Sequence, residues 1–232
     1  MKNLKKLIYM TDDGSSTFFL PDLDEYYHSK HGAISESEHI FIRNGLFFWK
    51  KNNPNKKYCN IFEVGFGTGL NAFLTFKNSN FMPNINVIYS SVEPYPLKIS
   101  EIEQMNYDKN LNDYNKIFAF IHHSEWNSPV KLSKNFTLIK INSTVQDFNI
   151  EINPDIIYFD PFCYRVQPEM WMKNIIKPII NSMNKSSVFV TFSSMNILFN
   201  LLKDLKMDVE KIRGPHKKKK MIRAVKTLNI NF

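Results

Sequence analysis

The sequence predicts an α/β fold, a mostly parallel sheet covered by helices on both faces and finished by an antiparallel hairpin. Two observations carry this. From about residue 58, apolar runs of strand length alternate with segments of helical spacing. The tail then breaks that alternation with two short runs around "GPHKKK".

The elements follow in order. "KKNNPNKK" (50–57) is polar, contains Pro54 and reads as a connection; it divides an N-terminal part, 1–56, from the main domain, 57–232. "YCNIFEV" (58–64) is a buried strand, and a helix starts near Leu70. "NVIYSSVEP" (86–94) is the second strand, with Glu93 at its end, and "LKISEIEQM" (97–105) has helical spacing. "FTLIKIN" (136–142) and "DIIYFDPF" (155–162) are the third and fourth strands, the latter ending in Asp160. "PEMWMKNIIKPIINSM" (168–183) carries Met170, Trp171, Ile175 and Ile179 on a helical stripe, so Trp171 reads as core. "SVFVTFS" (187–193) is the fifth strand, and "MNILFNLLKDLK" (195–206) is amphipathic. "DVEKIR" (208–213) and "KMIRAVK" (220–226) form the closing hairpin. In the N-terminal part, Ser35 and Glu38 before "HIFI" form a capping-box pattern, so a helix is expected to start there.

Composition narrows the class. A chain of 232 residues suits one domain with a small appendage. Cys59 and Cys163 lie far apart, as reduced thiols of a cytoplasmic protein do. The lysine-containing start is too short for a signal peptide, and no apolar stretch approaches the roughly 18 residues of a membrane span. The net charge of +8 draws a protein to polyanions, of which RNA is the commonest in cytosol. A Lys- and Asn-rich chain from an AT-rich genome would carry the same charge for no functional reason.

"IFEVGFGTGLNAF" (61–73) holds three of the seven glycines, Gly65, Gly67 and Gly69, between a strand and a helix. Glycines there let a ligand touch the main chain, and the helix N-terminus favours an anion. Dinucleotide sites read GxGxxG; here the run is ExGxGxG, beginning at Glu63, with no Walker lysine. The pattern resembles motif I of S-adenosylmethionine-dependent methyltransferases. The resemblance implies the class I, Rossmann-like fold, with a seven-stranded sheet ending in an antiparallel hairpin, plus an N-terminal extension. It implies that Glu63, Gly65, Phe66, Gly67 and Gly69 bind the cofactor, and that Glu93 accepts hydrogen bonds from the ribose. An adenine-facing acid is expected after the third strand. "INSTVQD" offers Asn142, Ser143 and Asp147 there, and we carry Asp147 forward.

Four blocks point to a narrower family. They are "GSSTFFLPDLDEYYHSKHGAISESEHIFIRNGL" (14–46), the motif I run, "FDPFCYRVQPEMW" (159–171) and "GPHKKKKMIRA" (214–224). Together they resemble the bacterial tRNA 5-methylaminomethyl-2-thiouridine methyltransferases, stand-alone MnmD-type proteins and the methyltransferase half of bifunctional MnmC. The chain departs from that pattern at Pro161, Tyr164, Arg165 and Lys220. The resemblance implies methylation of a 5-aminomethyl uridine at the tRNA wobble position, with Asp160 orienting the amine and taking its proton. It implies a tRNA anticodon stem-loop as partner, an upstream enzyme supplying the aminomethyl group, no stable protein partner and no metal. The bifunctional proteins continue into a flavin-dependent oxidoreductase, so no FAD is expected here.

A wobble base must leave its stack to reach such a pocket. Phe162 and Tyr164 flank Asp160, and Tyr27 belongs to the N-terminal block, which reads as a cover. His31 and His39 in that block are candidates to face the pocket, although a lone histidine is more often structural. Lys218 and Lys219 in the hairpin turn, with Arg223 after it, are expected to grip RNA phosphates.

Overall fold

The N-terminal residues build a small sheet of their own. In the computed structural model, which describes residues 4–82, 84–113, 116–148, 153–215 and 220–227, β1 (Leu7–Met10), β2 (Ser16–Leu20) and β3 (Glu25–Tyr26) pair antiparallel in that order. β2 turns Phe18 and Leu20 into the protein, while Leu7, Ile8 and Met10 of the edge strand stay exposed.

A helix follows in three contiguous pieces, Ala33–Ser37, Glu38–Phe47 and Phe48–Asn52, the middle piece wound in the wider π form. The Ser35–Glu38 pair does not start it. Ser35 lies inside the first turn, where its hydroxyl and its amide donate to Asp13 Oδ2 at 2.6 and 3.0 Å. The Ala33 amide donates to Ser15 Oγ at 3.0 Å. The orphan donors of this helix end are thus met by a distant loop rather than by a local box. Ile40, Phe41, Leu46 and Trp49 of the helix share one core with Ile61, Phe73 and Tyr158, so the 1–56 segment packs into the body of the protein.

The main sheet comprises β4 (Tyr58–Val64), β5 (Asn86–Val92), β6 (Pro129–Ser133), β7 (Phe136–Ile141), β8 (Ile156–Phe159), β9 (Val188–Thr191), β10 (Met207–Arg213) and β11 (Lys220–Lys226). Its order is β10-β11-β9-β8-β4-β5-β7-β6. β7, β5, β4, β8 and β9 are mutually parallel, and the hairpin enters with β11 antiparallel to β9. Every residue of β8 and β9 is buried, as expected of strands covered on both faces.

There are eight strands rather than the seven predicted. The extra one, β6, pairs antiparallel with β7 at the sheet edge. It is short, opens with Pro129 and keeps a largely exposed face, so it has no apolar run to announce it; proline is tolerated on such an edge. The helix expected over 97–105 is only Ile99–Ile102, and that over 168–183 is split into a 3₁₀ turn, Pro168–Trp171, and a helix, Lys173–Ser182. Trp171 is buried, as predicted. Neighbours of β4 lie on opposite sides of it, β5 one way and β8 the other, so the strand order reverses there. A crevice opens at that point, at the carboxyl ends of the strands.

Candidate active site

The residues after β4 turn sharply to reach the helix Leu70–Ser79. Gly65 has φ +93°, and a Cβ on it would lie 2.7 Å from the Asp160 carbonyl oxygen. The loop therefore presses on the chain leaving β8, closer than any side chain permits. Gly67 has φ +50°, and a Cβ on it would just touch the Tyr27 ring, at 3.5 Å. These two glycines form a bare backbone wall on one side of a cavity of about 970 Å³. Behind the loop, His122 Nε2 donates to the Thr68 carbonyl at 3.0 Å. Burial, then the nearby Lys140 charge, pushes that imidazole down to about 3, so it is neutral.

Opposite the glycines stands Glu93, just past β5. It accepts from the Gly67 amide at 3.1 Å and the Tyr95 amide at 2.8 Å. Burial raises its pKa, and the two amide bonds oppose the rise. Asp160, just past β8, lines the same cavity and accepts a hydrogen bond from Asn71 Nδ2 at 2.9 Å. Phe162 stands beside it, its ring edge-on to Tyr27 at 5.1 Å. The Trp171 indole donates to the Phe162 carbonyl at 3.0 Å and the Phe162 amide to Gln167 Oε1 at 2.9 Å, which fixes that turn.

The N-terminal block closes the other side. Arg165 donates to the carbonyls of Leu23 and Asp24, both at 2.8 Å, and pairs with Glu25 at 3.1 Å. The Cys163 thiol also donates to Glu25, at 2.7 Å. This strap ties β3 to the loop after β8 and seats Tyr26, Tyr27 and His28 on the cavity wall. His28 is half-buried against Thr17 and Thr68, and burial lowers its pKa to about 4 against the pull of Asp13.

The structure brings Gly65, Phe66, Gly67, Glu93, Asp160, Phe162, Tyr27 and His31 to one cavity. The other predicted site residues among those the structure describes do not line it. Glu63 is wholly buried behind the loop. Burial lifts its carboxyl to about 8, and Ser91, Asn71 and Tyr89 beside it pull the other way, yet neither oxygen has a well-directed hydrogen bond. Gly69 turns toward His122. Asp147 is exposed and folds back to accept the Thr144 hydroxyl at 2.6 Å, while Asn142, Thr144, Val145 and Gln146 of the same loop reach the cavity instead. Tyr164 points to solvent. His39 Nε2 donates to the Arg213 carbonyl at 2.9 Å. Arg223 is engaged within the protein: it pairs with Glu210 at 2.8 Å, donates to Asn44 at 3.0 Å and stacks over Phe48 at 3.6 Å. It is therefore not the available phosphate ligand expected. Lys218 and Lys219 lie outside the described residues; Pro215, three positions before Lys218 in the sequence, lines the cavity. Sequence reasoning missed Asn71, His28 and Gln167. Asn71 alone had a signal, standing two residues past the last motif glycine.

The cavity fits S-adenosylmethionine. Its glycine wall presents bare main chain to a ligand, its carboxylate Glu93 suits ribose hydroxyls, and its size suits a nucleoside ligand with space to spare. Among the described residues no cluster of metal-ligating side chains occurs, and no helix is long and apolar enough to cross a membrane.

Comparisons with known proteins agree with this architecture. The chain resembles the MnmC2 protein of Aquifex aeolicus in fold, with a TM-score of 0.80 and 23% identity over 98% of this chain and 72% of that one. It is 28% identical over 214 residues to the tRNA 5-methylaminomethyl-2-thiouridine biosynthesis bifunctional protein MnmC of Leptospira borgpetersenii, covering 86% of this chain and 32% of that protein. The protein of the same description in a Marinomonas species is 27% identical, covering 85% and 31%. The chain thus spans about a third of the length of these curated relatives. Residues 100–227 match the family model described as S-adenosyl-L-methionine-dependent methyltransferase. With that match over more than half its length and a cavity built to receive the cofactor, the chain belongs to the S-adenosyl-L-methionine-dependent methyltransferases.

Proposed function

We propose that this enzyme methylates the 5-aminomethyl group of a wobble uridine, with or without 2-thiolation, in a tRNA anticodon loop. The observation that carries the reading is the placement of Asp160. It stands in the cavity of the glycine loop with Phe162 and Tyr27 at its flank, as a site for an amine carried on a flat base requires. The names of the relatives supply the base.

Glu93 and the backbone of Gly65 to Gly67 would hold the cofactor, which when bound supplies an electrophilic methyl on a sulfonium. An alkylammonium has no lone pair and titrates near 10.4 when free. The amine must therefore lose a proton before attack, and Asp160 takes it. The neutral nitrogen would then be the nucleophile toward that methyl. Phe162 and Tyr27 hold the extruded base and so orient its amine, which would supply most of the rate. Residues 1–56 act as a cover over this pocket. The turn holding Lys218 and Lys219 contacts phosphates of the anticodon stem.

The test is nucleoside mass spectrometry of tRNA carrying 5-aminomethyluridine before and after incubation with the enzyme and cofactor. A gain of one methyl on that nucleoside supports the reading. Methyl transfer to proteins or small amines, with none to this RNA, rejects it.

A further inference from the structure

Asn71 is the second residue of the helix Leu70–Ser79, and Asp160 lies 89 positions away along the chain. Both line the cavity, Asn71 with only 5% of its surface exposed. Their contact is the 2.9 Å bond from Asn71 Nδ2 to Asp160 Oδ2. An ionised carboxylate has acceptors only, so the amide must turn its nitrogen toward Asp160. Asn71 Oδ1 is buried without a well-directed hydrogen bond, on a side chain that also lies beside the buried Glu63 carboxyl. One amide thus stands between the buried acid behind the glycine loop and the Asp160 carboxylate in the cavity. The backbone beneath is also pinned. The Thr75 hydroxyl donates to the Asn71 carbonyl at 2.6 Å, and the glycine loop abuts the Asp160 carbonyl.

We infer that Asn71 is a positioning residue for the reaction, holding the Asp160 carboxylate at the orientation in which it meets the substrate amine. The inference rests on the role given to Asp160 above. Asn71 links the cofactor-side helix to the residue that takes the proton, so the two halves of the reaction are registered through one side chain. A displaced carboxylate would still be present, but the amine would meet it in fewer encounters. The effect belongs in the rate and not in cofactor affinity.

The experiment is a double-mutant cycle of Asn71→Ala and Asp160→Ala, read by single-turnover methyl transfer to tRNA containing 5-aminomethyluridine. Calorimetry with S-adenosylmethionine on each variant verifies folding and binding. In the Asp160 background, Asn71→Ala should slow transfer about tenfold, a loss of about 1.4 kcal/mol in transition-state stabilisation. In the Asp160→Ala background it should change the rate less than twofold. Cofactor affinity should stay within threefold throughout. Equal losses in both backgrounds, or no loss in the first, overturn the positioning role while leaving Asp160 its own. A fully active Asp160→Ala enzyme overturns the role of Asp160 and this inference with it, whatever Asn71 does. Asn71→Asp keeps the shape and puts a second carboxylate against Asp160, with the buried Glu63 carboxyl on its other side adding to the repulsion. Like charges so close titrate as a pair, and the acid limb of the rate profile should rise by a unit or more. An unchanged limb in that variant also overturns the inference.

Discussion

Gly67→Val tests whether the cofactor lies against the glycine wall. Gly67 has φ +50°, where an L side chain costs roughly 1–2 kcal/mol. For a chain of this size that lowers Tm by about 2–8 °C, which a domain with roughly 5–15 kcal/mol of stability tolerates. The larger effect is in the cavity. A Cβ on Gly67 would sit 3.5 Å from Tyr27 Cδ1 and 3.7 Å from Cε1, ordinary contact distances. Alanine would therefore just touch the ring. The two extra methyls of valine reach about 1.5 Å further and, with the ring in the way, are turned along the loop into the cavity that the ligand needs. We expect at least a hundredfold loss of S-adenosylmethionine affinity for valine, about 2.7 kcal/mol, and less than tenfold for alanine. Titration calorimetry on both variants, after thermal melts show that they are folded, gives the comparison. If folded Gly67→Val binds within threefold of wild type, the ligand does not lie against this loop, and the cradle has been misassigned.

Asp160→Ala should bind cofactor normally and lose about 10²–10⁴ in methyl transfer; rising pH should restore part of it, and a flat, near-normal rate would remove Asp160 from proton transfer. Replacing Lys218 and Lys219 with alanine should weaken tRNA binding and reduce its salt slope by about one unit per lost contact. An unchanged Michaelis constant at moderate salt would show that the RNA is held elsewhere. Acid should expose the Asp13 cap: burial works to raise that carboxyl, but the bonds from Ser15 and Ser35 outweigh it and hold the group down at about 2. A depressed folded value means stability that is present above the unfolded pKa near 4 and lost as pH falls through 2. Urea midpoints of wild type and Asp13→Ala should therefore differ at pH 6 and converge toward pH 2, and a constant gap would count against the cap.

The sequence by itself determined the parallel sheet, its hairpin and the strand ends that carry Glu93 and Asp160. Those features are local: continuous apolar runs commit a strand to burial on both faces, and a sheet of that kind presents its ligand at the carboxyl ends. The glycine spacing is local too, but the need for it at Gly65 is not: a Cβ there would lie 2.7 Å from the Asp160 carbonyl oxygen. Tertiary packing decided the rest. Nothing near Ser35 announces that Asp13 and Ser15 would cap its helix. β6 opens with proline and has no apolar run to mark it, and it forms along the edge that β7 offers. Asp147 and Thr144 are three residues apart, yet the fold of their loop sends one to solvent and the other to the cavity. Glu63 lies in the same motif as the glycines, but the alternation of β4 turns it behind them into a buried polar pocket. Arg223 looks like a surface cation until Glu210, Asn44 and Phe48 close around it. The contacts that shape the chemistry, Asn71 to Asp160 and Arg165 to Glu25, join residues 89 and 140 positions apart. Side-chain direction and long-range partners arise only when the sheet brings distant strand ends together, so no periodicity along the chain encodes them.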